Sequence, residues 1–206
     1  MKVILLGPPG SGKGTQAEFI TKQYNLTHIS TGDIFRENIE QKTPVGLKVK
    51  ELIDAGKFAP DELTIEIIKE RILRPDCKDG YLLDGFPRNL IQATALDEIS
   101  SPTIVLDISI DLNKVLKRIT GRRICEDCKR SFHVDHLNGK ETCFECGGRL
   151  VTRDDDNEES VKERLRIYEM QTKPLEEYYS KQNKLVRING DQAIETVSKE
   201  IEKVLG

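Results

Sequence analysis

The sequence predicts an α/β fold in which a parallel five-stranded sheet is flanked by helices and carries two insertions. Three observations lead there. Short apolar runs alternate with helical stretches in a βαβ rhythm, which calls for a parallel sheet covered by helices. A glycine-rich loop joins the first apolar run to the first helix. Two segments, residues 30–59 and 122–156, break the rhythm and read as insertions on the core rather than as independent domains.

Val3 to Leu6 is a continuous apolar run that ends at glycine, the mark of a short buried strand. From Thr15 the pattern turns helical, with Ala17, Ile20 and Tyr24 on one face. His28-Ile29-Ser30 is a shorter strand candidate. Tyr81 to Asp84, Ile104 to Ile108 and Leu185 to Ile188 complete the five. Helices are expected over Glu62 to Leu73, over Asn113 to Ile119, and from Ser160 with Val161, Leu165 and Tyr168 on one face and Pro174 interrupting. A last helix runs to Leu205. Residues 30–59 look helical, with turns at Thr43-Pro44 and Ala55-Gly56. The core is therefore residues 1–29, 60–121 and 157–206.

The chain has 206 residues, one domain or one domain with an inserted subdomain. Its 32 basic and 35 acidic side chains leave a net charge of -3, which argues against coating nucleic acid through bulk charge. No apolar run approaches the ~18 residues of a membrane span, and the opening apolar run is too short for a signal peptide. A cytoplasmic protein is expected, with no nucleic-acid or membrane partner.

Gly7-Pro8-Pro9-Gly10-Ser11-Gly12-Lys13-Gly14-Thr15 follows a strand and opens a helix, the context a phosphate loop requires. Its glycines let successive backbone N–H groups turn inward around an anion, and the helix N-terminus adds its positive end. Lys13 places a point charge on the β- and γ-phosphates. The strict pattern has Ser or Thr directly after the lysine; here Gly14 intervenes and the hydroxyl is that of Thr15. The fold class sharpens to a P-loop NTPase-type sheet with a nucleoside-triphosphate site. The loop does not name the acceptor.

Cys125-x2-Cys128 and Cys143-x2-Cys146 form two CxxC knuckles. Four thiolates suit tetrahedral zinc, and two disulfides are disfavoured in a reducing compartment. Four cysteines complete the coordination and leave no open position, so the metal is read as structural. The segment needs such help: Phe132, Val134, Leu137, Phe144 and Leu150 make a small core for so many residues. Cys77 stands alone as a bystander, and His133 is not needed as a ligand.

Gly7 to Gln16, with its displaced threonine, resembles the nucleotide loop of the adenylate kinase family, and the resemblance extends over nearly the whole chain. Ser30-Thr31-Gly32-Asp33 with Arg36 matches the family's first acceptor motif. Asp84-Gly85-Phe86-Pro87-Arg88 followed by Gln92 matches the second. Gly121-Arg122-Arg123 matches the lid entrance, and Arg153-Asp154-Asp155 with Arg164 matches the lid exit. The chain is similar to the bacterial-type long form with a zinc-binding lid. By that resemblance residues 30–59 are a helical acceptor-binding insertion and residues 122–156 a small zinc-bearing lid.

The resemblance implies reversible phosphoryl transfer from MgATP to AMP, giving two ADP and maintaining adenine nucleotide balance, by a monomer. The acceptor phosphate has a second pKa of about 6, so it is largely a dianion at neutral pH and needs no general base. The obstacle is electrostatic: two polyanions must meet while charge spreads over the transferring group. Lys13, Arg88, Arg122, Arg153, Arg164 and Asp84 are the implied catalytic residues. Gly10, Ser11, Gly12, Lys13, Gly14 and Thr15 would bind the ATP phosphates together with Arg122. Arg118 and the backbone carbonyl of Gln192 would meet the donor adenine, and Ser131 and Phe132 would reach the donor nucleotide from the lid. Arg36 and Arg88 would fork onto the acceptor phosphate, with Arg153 and Arg164 beside it. Thr31, Gly85, Phe86, Pro87 and Gln92 would hold the AMP base and phosphate, and Lys57, Phe58 and Ala59 would line the acceptor pocket. Asp84 would hold Mg2+ through waters. Asp33 either orients a Mg2+ water or caps the helix that carries Arg36.

Three departures from the family pattern stand out. Phe58-Ala59 replaces the usual Leu-Val pair, which bears on strictness for AMP because size differences in apolar pockets discriminate by only ~1–3 kcal/mol. Asn89 replaces the common threonine after Arg88. The loop between the knuckles is slightly short and lacks its Asn-Pro-Pro stretch. Two other readings are carried: a nucleoside monophosphate kinase of broader base specificity, motivated by Phe58-Ala59, and an ATP-switched zinc-ribbon module that binds nucleic acid, motivated by the two CxxC knuckles.

Overall fold

A computed structural model describes residues 1–206. The core strands are β1 (Lys2–Leu6), β2 (Thr27–Ser30), β3 (Tyr81–Asp84), β4 (Ile104–Ser109) and, after three short strands elsewhere, β8 (Leu185–Asn189). They form one parallel sheet in the order β2-β3-β1-β4-β8. The register sets Leu5 of β1 beside Asp84 and Leu6 beside Asp107. The strand order departs to either side of β1, so the loop after β1 lies at a switch point on the carboxyl edge, where ligands bind in such sheets.

Alternation along each strand divides the core into two layers. Ile4, Leu6, Ile29, Leu83 and Val105 face α4 (Asp61–Ile72), α5 (Leu90–Ser100) and α8 (Leu175–Lys181). Val3, Leu5, Leu82, Leu106 and Ile188 face α1 (Lys13–Tyr24) and α9 (Ile194–Leu205). Ala17 and Ile20 of α1 are buried and Tyr24 packs on the same layer, as their spacing requires.

Two expected helices take a more broken form. The stretch after Asn113 is a 3-10 turn, Leu112–Lys114, that runs into the short α6 (Val115–Thr120). The helix expected from Ser160 begins earlier, as α7 (Glu158–Ile167), because the Asn157 side chain caps it by accepting from the Ser160 backbone N–H at 2.9 Å. It passes through a π turn at Tyr168–Thr172 and restarts after Pro174 as α8. Pro174 has no N–H to continue the ladder.

Between β2 and α4 lie α2 (Thr31–Glu40) and α3 (Pro44–Asp54), packed on each other around Phe35, Val49 and Ala59. Thr43 caps α3 and Pro44 opens it. Between α6 and α7 a second sheet forms, β6-β5-β7, antiparallel, from β5 (Arg122–Cys125), β6 (Ser131–His133) and β7 (Leu150–Val151). These strands are too short to leave an alternating pattern in the sequence. Their kernel is Leu137 and Leu150 with Cys125 and Cys143, and Phe132 packs against it.

A carboxylate lies within the sheet itself. Asp107 of β4 is 2% exposed, and its Oδ1 has no hydrogen-bond partner. Burial pushes its carboxyl up from 3.8 to about 6, with Glu176 adding to the shift and Arg187 and Lys13 opposing it. The folded chain keeps a proton that the unfolded chain releases, so this group lowers stability as pH rises from about 4 to about 6. Asp107→Asn is therefore expected to raise the melting temperature at neutral pH, by a margin worth at most about 3 kcal/mol. The gain should vanish below about pH 4. Melting curves of the two chains across that range check it.

Candidate active site and metal cluster

The phosphate loop turns with positive φ at Gly7, Gly10 and Gly12. At Gly7 a Cβ would stand 2.3 Å from the carbonyl oxygen of Ile108, so only glycine lets the loop lie against β4. Lys13 opens α1 and folds back over the loop, with Nζ donating to the carbonyls of Gly7 at 2.7 Å and Pro8 at 2.8 Å. Ser11 is buried, Thr15 half-buried, and Gly14 exposed.

Across from the loop, cations converge from four elements. Arg36 comes from α2, Arg88 from the loop after β3, Arg122 and Arg153 from the two ends of the segment holding the small sheet, and Arg164 from α7. Burial lowers the Lys13 ammonium to about 8, and Arg88 and Arg164 press it the same way. Burial lowers Arg88 to about 10, helped by Arg164 and Arg36. Burial likewise takes Arg153 to about 10, with Arg36 and Arg122 adding to it. Arg164 is lowered by burial and by Arg122 and Arg36, against the pull of Asp155 and Asp156. These side chains therefore share one electrostatic volume.

Carboxylates hold the cations in place. Asp156, whose side chain is fully buried, takes a two-pronged pair from Arg122, with Nε at 2.8 Å. Asp155 accepts from Arg164 Nη1 at 2.9 Å. Asp33 binds Arg36 at 2.5 Å and lies 3.6 Å from Arg153. Burial pushes the Asp33 carboxyl up, and Arg36 and Arg153 outweigh it and hold it below the usual carboxylate range. The alternative that Asp33 caps its helix is corrected: Ser30 is the cap, accepting from the Asp33 backbone N–H at 3.2 Å.

Asp84 ends β3 beside this group. Burial pushes its carboxyl up, but the nearby His28 imidazole and the charge of Lys13 hold it lowered. His28 Nε2 stands 3.8 Å from Asp84 Oδ2. An anionic carboxylate at this edge, with the Thr15 hydroxyl on the loop, fits a hard oxygen-seeking cation such as Mg2+.

Next to Arg88 a cleft of about 510 Å3, counting its solvent-open part, contains Thr31, Arg36, Lys57, Phe58, Ala59 and Gln92. Thr31 Oγ1 donates to the Gly85 carbonyl at 2.8 Å, and Arg88 Nε donates to the same oxygen at 2.7 Å. The Arg88 guanidinium lies over the Phe58 ring, 4.4 Å from its centroid. Phe86 is buried in the core beneath, and Pro87 follows it in the same loop. Phe58 thus supports an arginine as well as bordering the cleft.

Arg118 of α6 reaches the turn after β8, with both Nη atoms 3.3 Å from the Gly190 carbonyl and an ion pair to Asp191. Gln192 lies in that turn, its side chain donating to Glu200 at 2.8 Å. Ser131 and Phe132 sit on β6, where the Phe132 ring packs edge-on against Phe144. Arg123 turns away, donating to the Arg122 and Thr120 carbonyls.

The sulfurs of Cys125, Cys128, Cys143 and Cys146 all lie within 4.8 Å of one another, and Cys125–Cys146 and Cys128–Cys143 are 3.5 and 3.6 Å apart. A zinc–sulfur distance of about 2.3 Å sets tetrahedral sulfurs roughly 3.8 Å apart, so the cluster fits a structural zinc. The Glu145 backbone N–H donates to Cys143 Sγ at 3.4 Å, the kind of hydrogen bond that supports a thiolate ligand. Gly148 lets the chain pass the cluster: a Cβ there would stand 2.9 Å from Cys125 Sγ and 2.2 Å from Asp127. His133 lies outside the cluster, near Asp135 and the Lys117 carbonyl.

Sequence reasoning missed the holding groups. Asp155 and Asp156 close the acidic run that begins at Asp154, just after Arg153, and that run was the available signal for buried counter-ions. His28 had none, since it meets Asp84 only through strand pairing. Asp61 and Asn89, which bond Gln92, were equally hidden.

A parallel sheet with a phosphate loop at its switch point and a shell of cations above it defines a nucleotide-binding phosphotransferase. Comparison with known proteins narrows the class. The family model described as Adenylate kinase matches residues 5–184. An adenylate kinase of Clostridium tetani is 49% identical, covering 100% of this chain and 99% of its own. One from Acetivibrio thermocellus is 48% identical over 98% and 96% of the two chains, and one from Thermoanaerobacter sp. 47% identical over 100% and 98%. The chain belongs to the adenylate kinase family.

Stripping the metal from the four-cysteine cluster is expected to free the surrounding segment while the core survives. Hydrogen exchange with and without a chelator should show protection lost over residues 122–151 and kept in the five-stranded sheet. Equal loss across the chain would show that the cluster supports the whole fold instead.

Proposed function

We propose that this chain transfers the γ-phosphoryl group of MgATP to AMP, reversibly, giving two ADP. The observation that carries the reading is the mutual coupling of Lys13, Arg88 and Arg164, which puts the phosphate loop and the acceptor cleft on one volume of positive charge. Lys13 and the loop N–H groups would hold the donor phosphates. Arg36 and Arg88 would fork onto the acceptor phosphate, and Arg122, Arg153 and Arg164 would follow the charge as it spreads over the transferring group. No base is needed, because the acceptor is already a dianion. Asp84 and the Thr15 hydroxyl would hold the Mg2+, which when bound neutralises phosphate charge. Arg118 and the turn at Gln192 would take the donor base, and Ser131 and Phe132 would close over it.

In this reading residues 30–59 are the acceptor-binding insertion, residues 122–156 a lid stapled by zinc, and the remainder the core. Contacts across these units support a lid that meets its neighbours: Arg130 pairs with Glu18 of α1 at 2.6 Å, and Arg153 lies 3.6 Å from Asp33 of α2. Closure over both substrates would keep water from the donor phosphate. We place the enzyme in the cytoplasm as a monomer; no helix is long and apolar enough to cross a membrane.

A second reading, a kinase of broader base specificity, draws on Phe58-Ala59 in the acceptor cleft. Direct assay of diphosphate formation from MgATP with AMP, CMP, UMP, GMP and dAMP separates the two. AMP is expected to be strongly preferred. Comparable turnover of several monophosphates would replace AMP with a broader acceptor class, and no turnover with any would overturn the kinase assignment.

A further inference from the structure

The acceptor cleft contains an amide whose direction is fixed by groups around it. Gln92 is 1% exposed, borders the cleft, and has three protein partners. Its backbone N–H donates to Asn89 Oδ1 at 2.9 Å. Its Oε1 accepts from the Arg88 backbone N–H at 2.8 Å. Its Nε2 donates to Asp61 Oδ1 at 2.7 Å, and the same oxygen accepts from Asn89 Nδ2 at 2.8 Å. A backbone N–H can only donate and an ionised carboxylate can only accept. Turning the Gln92 amide over would set its oxygen against a carboxylate and its NH2 against an N–H, losing two buried hydrogen bonds at once. Asn89 is fixed by the same logic, with its oxygen on the helix N–H and its NH2 on Asp61.

We propose that Asp61, held by Asn89, is a positioning residue that locks the Gln92 amide in one direction and thereby selects adenine over guanine in the acceptor. The proposal rests on the AMP reading above. The lock leaves one hydrogen on Nε2 and one lone pair on Oε1 without a protein partner. That pair complements a base edge offering a ring-nitrogen acceptor beside an amino donor, as adenine N1 and N6 do. Guanine and hypoxanthine present the reverse, a ring N–H beside a carbonyl, and would need the amide turned over. A freely turning glutamine would read either edge, so the selectivity resides in Asp61 and the Arg88 N–H. It also gives Asn89 a function: capping α5 and steadying Asp61 with one side chain.

The test is Asp61→Asn, whose amide can donate as well as accept and so removes one of the two groups that oppose turning, leaving only the Arg88 N–H. The wild-type chain is expected to prefer AMP over GMP and IMP in kcat/KM. In Asp61→Asn the preference should shrink by roughly tenfold or more. The change should lie in the monophosphate KM, with the KM for ATP held. Asn89→Asp keeps a capping oxygen and removes the amide donor to Asp61, so a smaller loss in the same direction is expected even if Asp61→Asn folds poorly. A folded Asp61→Asn chain that keeps the wild-type AMP:GMP ratio overturns the lock alone. So does a variant whose loss falls equally on every monophosphate and on ATP, which marks a purely structural role. Wild-type protein that uses AMP and GMP alike overturns the lock together with the acceptor reading beneath it.

Discussion

Burial and mutual repulsion act together on Lys13, Arg88, Arg153 and Arg164, and each cation is held below its ordinary pKa. The rest of the structure serves that arrangement. A parallel sheet brings its strand ends to one edge, and the order around β1 opens a crevice there. The phosphate loop adds inward N–H groups and the positive end of α1 to the same crevice. The arginines stay charged at neutral pH even at about 10, so the repulsion persists until an anion enters. Asp33, Asp84, Asp155 and Asp156 offset part of it and fix where each guanidinium points. A site built this way is organised for polyphosphate before any arrives, which is what electrostatic preorganisation requires.

Two of these cations stand on a segment with little core of its own. Arg122 opens β5 and Arg153 follows β7, so the segment between them must be rigid if either is to be placed. Its apolar kernel is Leu137 and Leu150 with two of the cysteines. The four-sulfur cluster supplies the missing cohesion. Arg153 near Asp33 and Arg130 on Glu18 then tie this segment to α2 and to α1. Metal, sheet and ion pairs thus deliver charge from outside the core to a point set by the core.

The strands, the phosphate loop and the cysteine cluster were legible because each rests on local chemistry: apolar alternation, glycine spacing, CxxC pairs. The convergence of the arginines came from resemblance and not from spacing, since Arg36 and Arg164 are far apart in the chain and meet only through the fold. What escaped was the layer behind them. The cap of α2 is Ser30 and not Asp33, a matter of three residues that only backbone geometry decides. Asn89 read only as a departure from the family's threonine, yet it caps α5 and bonds Asp61. The Phe58 ring was read as a base-pocket wall, and the structure also sets it beneath Arg88. Such roles depend on which donor meets which acceptor across distant segments, and sequence order does not carry that.

The central claim is that phosphate relieves the repulsion within the cation cluster. Lys13, at about 8, is the group whose charge state should report it. Calorimetric titration with ADP near pH 8, in two buffers of different ionisation enthalpy, measures the protons exchanged on binding. The nucleotide phosphates are already deprotonated at that pH, so they contribute little. Binding is predicted to take up as much as about half a proton as Lys13 becomes fully charged. ADP binding with no proton uptake, or with release, would contradict the account.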